Sequence, residues 1–301
     1  MANPTPGRRP DWVNDELFPF TSHFADIDGH ILHYVDEGEG PVLLLYHGNP
    51  TWSFPYRDII RVLRDEFRCV AFDYPGMGLS TAASGFSFRA AELATIAQAF
   101  VDHLDLDAIT PMVQDWGGPI GLAAAIRQPQ RYQALITGNT WRWPAAVLSE
   151  RVRDCAFSTL WGGPLGRTAI KHGNLFAKMV LPAGHKRRRL SDEEMAHYLL
   201  PFADPASRTP CSVLPREIVH AEALLREVEG GIDRVQSLPA LIVWADKDFA
   251  FKESARRRWE EAFPTHHTRT LEGAGHFLQD DAGDEVVGAV REWWAGHRAE
   301  Q

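Results

Sequence analysis

Three side chains, two aspartates followed by a histidine, occur here in an order and in settings that suit nucleophilic hydrolysis. The first is Asp115, in Val113-Gln114-Asp115-Trp116-Gly117. Residues 108–114 read as a short, mostly apolar strand and residues 117–127 as a helix opened by glycines, so Asp115 falls on the sharp turn between them. At such an elbow a nucleophile stands above a sheet, and the backbone N–H of the next residue helps to form an oxyanion hole. The usual occupant is the serine of G-x-S-x-G; here Gly117 keeps the second glycine and Val113 replaces the first. An aspartate that opens a helix is, taken alone, only a cap. Its companions change that reading. Tyr46-His47-Gly48-Asn49-Pro50 follows the apolar run 42–45 and offers a second backbone N–H at Asn49; Trp244-Ala245-Asp246-Lys247-Asp248 follows a strand at 240–243; Gly273-Ala274-Gly275-His276-Phe277 follows one at 268–271. The order is nucleophile, acid, histidine, with Asp115, Asp248 and His276 in those roles.

These motifs need a sheet beneath them. Strands are expected at 22–26, 31–36, 42–46 and 69–73, with a helix over 89–103, and the first two strands suit an antiparallel edge. From residue 108 onward strand and helix alternate, which predicts a mostly parallel sheet flanked by helices. Alternation stops near Asn139. Between 141 and 212 no strand is evident, but helical stretches, aromatics, Gly and Pro abound, as expected of an inserted helical cap. Near Pro215 a helix leads back to the strand at Ala240. The expected division is a core of residues 1–140 and 213–301 and a cap of residues 141–212. This element pattern and motif order are those of the α/β-hydrolase fold.

Composition narrows the alternatives. With 301 residues and 45% hydrophobic content the chain can bury a large core. A formal charge of -9 argues against nucleic acid, whose binding needs clustered basic residues. The run His185-Lys186-Arg187-Arg188-Arg189 is the local exception, expected to be a solvated loop or helix approach. Cys69, Cys155 and Cys211 match no metal-ligand spacing and suggest buried thiols in a reducing compartment. Residues 1–20 lack a continuous apolar stretch, and no run approaches the roughly 20 apolar residues of a membrane span. The expectation is a cytoplasmic protein with no membrane partner.

From about residue 24 to 294 the chain resembles the haloalkane dehalogenases, most densely in His47-Gly48-Asn49-Pro50-Thr51-Trp52-Ser53, Asp73-Tyr74-Pro75-Gly76-Met77-Gly78-Leu79-Ser80, residues 113–121, Leu214-Pro215-Arg216-Glu217-Ile218 and Gly275-His276-Phe277-Leu278-Gln279-Asp280. The resemblance implies hydrolysis of the carbon–halogen bond of a small neutral halogenated hydrocarbon by water, yielding alcohol, halide ion and proton, with no cofactor and no metal. It departs from the family at two points. Ala245 stands for the usual glycine of Gly-x-x-Asp, and Asn139 stands where some members carry the acid as a glutamate after the strand before the cap. Asn139 supplies no charge, so the role falls to Asp248, with Asp246 as the rival or a turn residue.

An unperturbed Asp has a pKa of about 3.9, so Asp115 is expected to be ionised and to attack without a base. Its place at a helix start is expected to favour the charge further. Attack on saturated carbon gives an ester of Asp115; His276 then takes a proton from water, Asp248 steadies the imidazole, and the backbone N–H groups of Trp116 and Asn49 receive the oxyanion. The indole N–H of Trp116 and the side-chain amide of Asn49 are the expected halide donors, with Trp141, Trp143 and Trp161 in reserve. Phe157, Phe176, Phe202, Phe249 and Phe277 are candidate apolar walls.

Three other reactions use related sequences. Epoxide hydrolases commonly need a pair of cap tyrosines, whereas residues 141–212 hold only Tyr198; haloacid-processing relatives tend to carry Arg after the nucleophile, where Trp116 and Gly117 follow. A luciferase branch reuses the scaffold with oxygen. A catalytically silent binding protein is a further class, whose expected sign is loss of the nucleophile or histidine.

Overall fold

Val42-Leu43-Leu44-Leu45-Tyr46 is apolar without alternation, which suits a strand covered on both faces. In the computed structural model, which describes residues 6–299, it is the third of eight strands. These are β1 (His23–Ile27), β2 (His30–Glu37), β3 (Val42–Tyr46), β4 (Arg68–Phe72), β5 (Ile109–Asp115), β6 (Leu135–Thr140), β7 (Ala240–Ala245) and β8 (His266–Leu271). They form one sheet in the order β1-β2-β4-β3-β5-β6-β7-β8. The β1–β2 and β2–β4 pairs are antiparallel and every other pair is parallel, so the early antiparallel edge and the parallel remainder both match the expectation.

The helices α1 (Arg57–Leu63), α2 (Ala90–His103) and α3 (Gly117–Arg127) precede β6. Between β6 and β7 lie α4 (Leu148–Gly162), α5 (Pro164–Gly173), α6 (Leu175–Gly184), α7 (Asp192–Leu199), α8 (Thr209–His220) and α9 (Glu222–Gly230); α10 (Glu253–Ala262), α11 (Leu278–Asp281) and α12 (Gly283–Ala299) complete the chain. Successive side chains of a strand face opposite sides, and β3 divides accordingly. Val42, Leu44 and Tyr46 join a core built with α2 and α3, while Leu43 and Leu45 join a second core built with α1 and α12. Both faces of the sheet are therefore covered, and its loops are the places left for chemistry.

Most element ends fall within one or two residues of expectation, and two of the differences have a clear physical reason. Strand β8 begins at His266 rather than Thr268, because it is an edge strand whose residues 267–270 are exposed and carry little apolar signal. Helix α8 starts at Thr209 and runs through Pro215 to His220, packing along α4. A proline removes one backbone donor and usually marks a break. Here the helix continues past it, so the division drawn at 212/213 falls inside one helix.

Candidate active site

Strand β5 ends at Asp115, whose φ of 49° puts a non-glycine residue in the left-handed region. That conformation costs about 1–2 kcal/mol, and such strain gathers at functional turns. Trp116 returns to φ −60°, and α3 begins at the next residue. The turn is tight enough that a methyl group on Gly117 would collide with the carbonyl oxygen of Tyr46. On the other side the β5–β6 register shifts between Gln114 and Asp115, and the Thr140 hydroxyl donates to the Asp115 carbonyl at 2.5 Å. Both neighbouring strands thus hold the elbow.

The two carboxylate oxygens of Asp115 have different surroundings. The Asn49 N–H donates to Oδ1 at 2.9 Å, and the Trp116 N–H also bonds the carboxylate. Oδ2 lies 3.7 Å from Nε2 of His276. The opposite ring nitrogen, Nδ1, is 2.9 Å from Oδ2 of Asp248, whose Oδ1 accepts the N–H groups of Ala250 at 2.6 Å and Phe251 at 3.2 Å. With Asp248 able only to accept while ionised, Nδ1 carries the proton and Nε2 is left as the base. Gln114 reaches in from behind: its Nε2 donates to the His276 carbonyl at 3.0 Å and lies 3.2 Å from His276 Nε2.

Burial sets the charges. Desolvation drives the Asp115 carboxyl above the ordinary carboxylate range, and His276 with the two N–H groups offsets this only in part. The stabilisation expected from the helix start is therefore outweighed. Desolvation also pulls the His276 imidazole down, but the carboxylates of Asp248 and Asp115 overcome it and its pKa ends above the ordinary histidine value. Nearby His47, buried and used to accept the Tyr74 N–H at 3.2 Å, is pushed down to about 4 by desolvation, so it is a neutral structural group.

Other residues raised by the sequence are engaged elsewhere. Asp246 accepts the Gly273 N–H at 2.6 Å and pairs with Lys247 at 3.0 Å, holding a turn. Asn139 stitches β6 to β7, donating to the Ala245 carbonyl at 3.0 Å and accepting its N–H at 2.7 Å. Tyr198 donates to Oδ2 of Asp280 at 2.6 Å. Cys155 is exposed, unlike Cys69 and Cys211, so the expectation of three buried thiols is corrected; α4 turns that face outward. Nor is the basic run simply solvated. The backbone N–H groups of Lys186, Arg187 and Arg188 all go to Asp281, and the Arg188 guanidinium binds Asp280 and Glu194.

Asp115, His276 and Asn49 open onto a cavity of about 220 Å³. Phe157, Phe176 and Phe249 line it, together with Trp141 and Trp143; Phe249, 41% exposed, stands at the mouth. Phe202 and Phe277 do not line it. Phe202 is sealed in the core after α7, and Phe277 turns beneath the histidine to stack on His185 at 5.3 Å. Trp116 is only 2% exposed and meets Trp141 edge to face at 4.8 Å, while Trp161 packs on Phe176. The Oδ1 atom of Asn49 is buried without a partner. Sequence reasoning missed Val180, Ile218 and Phe251 of the wall, and Gln114 behind the histidine. Ile218 and Gln114 lay within segments already singled out; nothing in the pattern distinguished Val180. Among the described residues no helix is long and apolar enough to cross a membrane, and no cluster of His, Cys, Asp and Glu could hold a metal ion.

The sheet, elbow and His–Asp pair define a class, and comparison agrees: residues 41–283 match the family model described as alpha/beta hydrolase fold, so the chain belongs to that family. Haloalkane dehalogenase 2 of Mycobacterium tuberculosis, like its Mycobacterium bovis counterpart, is 43% identical over 92% of this chain and 96% of its own. The solved structure of haloalkane dehalogenase DbeA from Bradyrhizobium elkani superposes with a TM-score of 0.84 at 27% identity, covering 94% of this chain and 100% of that one. Within the α/β hydrolases, the chain is a member of the haloalkane dehalogenase family. A cis-3-alkyl-4-alkyloxetan-2-one decarboxylase of Shewanella oneidensis is also similar, at 30% identity over 92% of this chain and 89% of its own.

Proposed function

We propose that the protein hydrolyses the carbon–halogen bond of small neutral haloalkanes through an ester of Asp115. The observation that carries this reading is the division of labour within one carboxylate: Oδ1 accepts the Asn49 N–H while Oδ2 faces His276. Oδ2 attacks the halogen-bearing carbon, the carbon–halogen bond breaks with its electron pair, and halide departs toward the Trp116 indole N–H and the Asn49 amide. Water then adds to Cγ of the ester as His276 Nε2 takes its proton, and Oδ1 becomes the oxyanion, already seated on the Asn49 N–H and with the Trp116 N–H as the second donor to the group. Collapse breaks the Cγ–O bond to the alkyl group; the alcohol leaves with the proton from His276, and ionisation of Asp115 releases the net proton. Helices α4 to α8 serve as a cap, because Phe157, Phe176 and Ile218 cover Asp115 and His276 from that segment.

No tyrosine of the described residues lines the cavity, and Tyr198 is committed to Asp280, which weighs against epoxide opening. Incubation with 1-bromobutane should release stoichiometric bromide and 1-butanol, with styrene oxide and a cis-3,4-dialkyloxetan-2-one left largely unchanged. Rapid turnover of either oxygen substrate without bromide from bromobutane overturns the reading.

A pH dependence follows. His276 must be neutral to accept a proton, so ester hydrolysis is lost as pH falls through its pKa. In the free enzyme the Asp115 charge helps to raise that pKa. Esterification removes this charge, so the acid limb of single-turnover ester decay should lie below the pH at which His276 titrates in the free enzyme by NMR. An acid limb at or above that pH counts against the assignment.

A further inference from the structure

Asp281 takes no part in the chemistry above, yet its buried carboxylate joins two segments that the chemistry needs. Its Oδ2 accepts the N–H groups of Gly275 at 2.7 Å and Lys186 at 3.0 Å; its Oδ1 accepts those of Arg187 at 3.0 Å and Arg188 at 3.2 Å. Gly275 immediately precedes His276, and residues 186–188 follow α6 in the inserted helical segment. One side chain therefore clamps the histidine loop to the strand of backbone that leaves α6. The two loops touch directly as well. The Phe277 N–H points to the Gly184 carbonyl at 3.4 Å, and a methyl group on Gly275 would strike that same carbonyl oxygen. Next to the clamp, Asp280 fixes α11 to α1 through Arg57 at 2.8 Å and to α7 through Tyr198 at 2.6 Å.

We infer that Asp281 is a positioning residue for His276, setting the imidazole against Asp115 for ester hydrolysis. The inference rests on the two-step reaction proposed above and deepens it. Asp248 holds Nδ1 and Gln114 holds the His276 carbonyl; the distance from Nε2 to Asp115 then depends on where the backbone enters at Gly275, and Asp281 holds that N–H. Alkylation of Asp115 does not use His276. Loosening the clamp should therefore slow the second step and spare the first, a split that general destabilisation does not produce.

Asp281→Asn tests this, because an amide keeps one accepting oxygen but turns a donor NH₂ toward N–H groups. Gly275→Ala parts the same loops from the other side and leaves Asp281 intact. With 1-bromobutane, rapid quench and intact mass should show one equivalent of bromide released at the wild-type rate in both variants, with the butyl ester decaying about 10- to 100-fold more slowly. Without substrate, the downfield Nδ1–H proton resonance of His276 should shift or broaden in both. Unchanged ester decay with an unmoved resonance overturns the assignment, as does a parallel fall in bromide release and decay. A wild-type enzyme that releases no bromide counts against the haloalkane reaction instead, and the substrate-free resonance still decides whether Asp281 places the imidazole.

Discussion

His276→Gln, mixed with 1-bromobutane, will gain the mass of one butyl group on the peptide that contains Asp115 and keep it. In the proposed reaction the nucleophile of the first step is the Asp115 carboxylate, and its attack on carbon requires no proton transfer. The second step does: water is a poor nucleophile toward an ester unless a base removes its proton in the transition state, a contribution worth about 10²- to 10⁴-fold. Glutamine is polar enough for the pocket but has no basic nitrogen, so the ester should accumulate while one equivalent of bromide per protein appears in a burst and steady turnover falls by that factor. The geometry makes the expectation specific, since Nε2 of His276 sits 3.7 Å from Oδ2 of the carboxylate that would carry the ester. Digestion and mass spectrometry read the result. An unmodified Asp115 peptide, in a folded variant that turns over normally, removes His276 from the mechanism.

Much of this was legible in the sequence, for a physical reason. The sheet announces itself because buried parallel strands are continuous apolar runs, and Val42 to Tyr46 is such a run. Asp115, Asp248 and His276 could be grouped from the sequence because Asp115 ends β5 and the other two lie three and five residues beyond the ends of β7 and β8, so parallel strands carry groups far apart in the chain to the same end of the sheet. What escaped lies where tertiary packing overrides local pattern. Pro215 looked like a boundary and is interior to α8, and the aromatics of the insertion were indistinguishable until the helices were placed. Phe157 and Phe202 have the same side-chain chemistry and lie in the same inserted segment, yet one lines the cavity and the other is sealed. Charge was misread for a related reason: the helix start favours an ionised Asp115, but desolvation is a property of the assembled pocket and is the larger effect. Asp281 and Gln114 escaped because Asp281 binds backbone N–H groups, most of them in the distant 186–188 segment, and Gln114 binds a histidine far along the chain, which no spacing reveals.

Asp115→Asn should abolish turnover, by on the order of 10⁶-fold as for loss of a nucleophile acting within a catalytic unit, without weakening the fold. Asparagine tolerates the left-handed backbone that φ 49° demands, so the elbow is retained. Its carbonyl can still accept the Asn49 N–H, but the side chain has lost the charge that attacks carbon. No bromide burst and no butyl adduct should appear, which separates this variant from His276→Gln at once. Stability carries a second, independent expectation. The pKa of Asp115 is raised by burial, so at neutral pH the folded state holds an ionised group that it disfavours relative to the unfolded chain. Removing that charge should leave the melting temperature equal to or above the wild-type value. A retained bromide burst in freshly purified protein, with the Asp115→Asn substitution verified by mass, excludes Asp115 as the nucleophile. A substantially lower melting temperature would mean that the carboxylate holds the elbow together, and the assigned desolvation penalty would be wrong in sign.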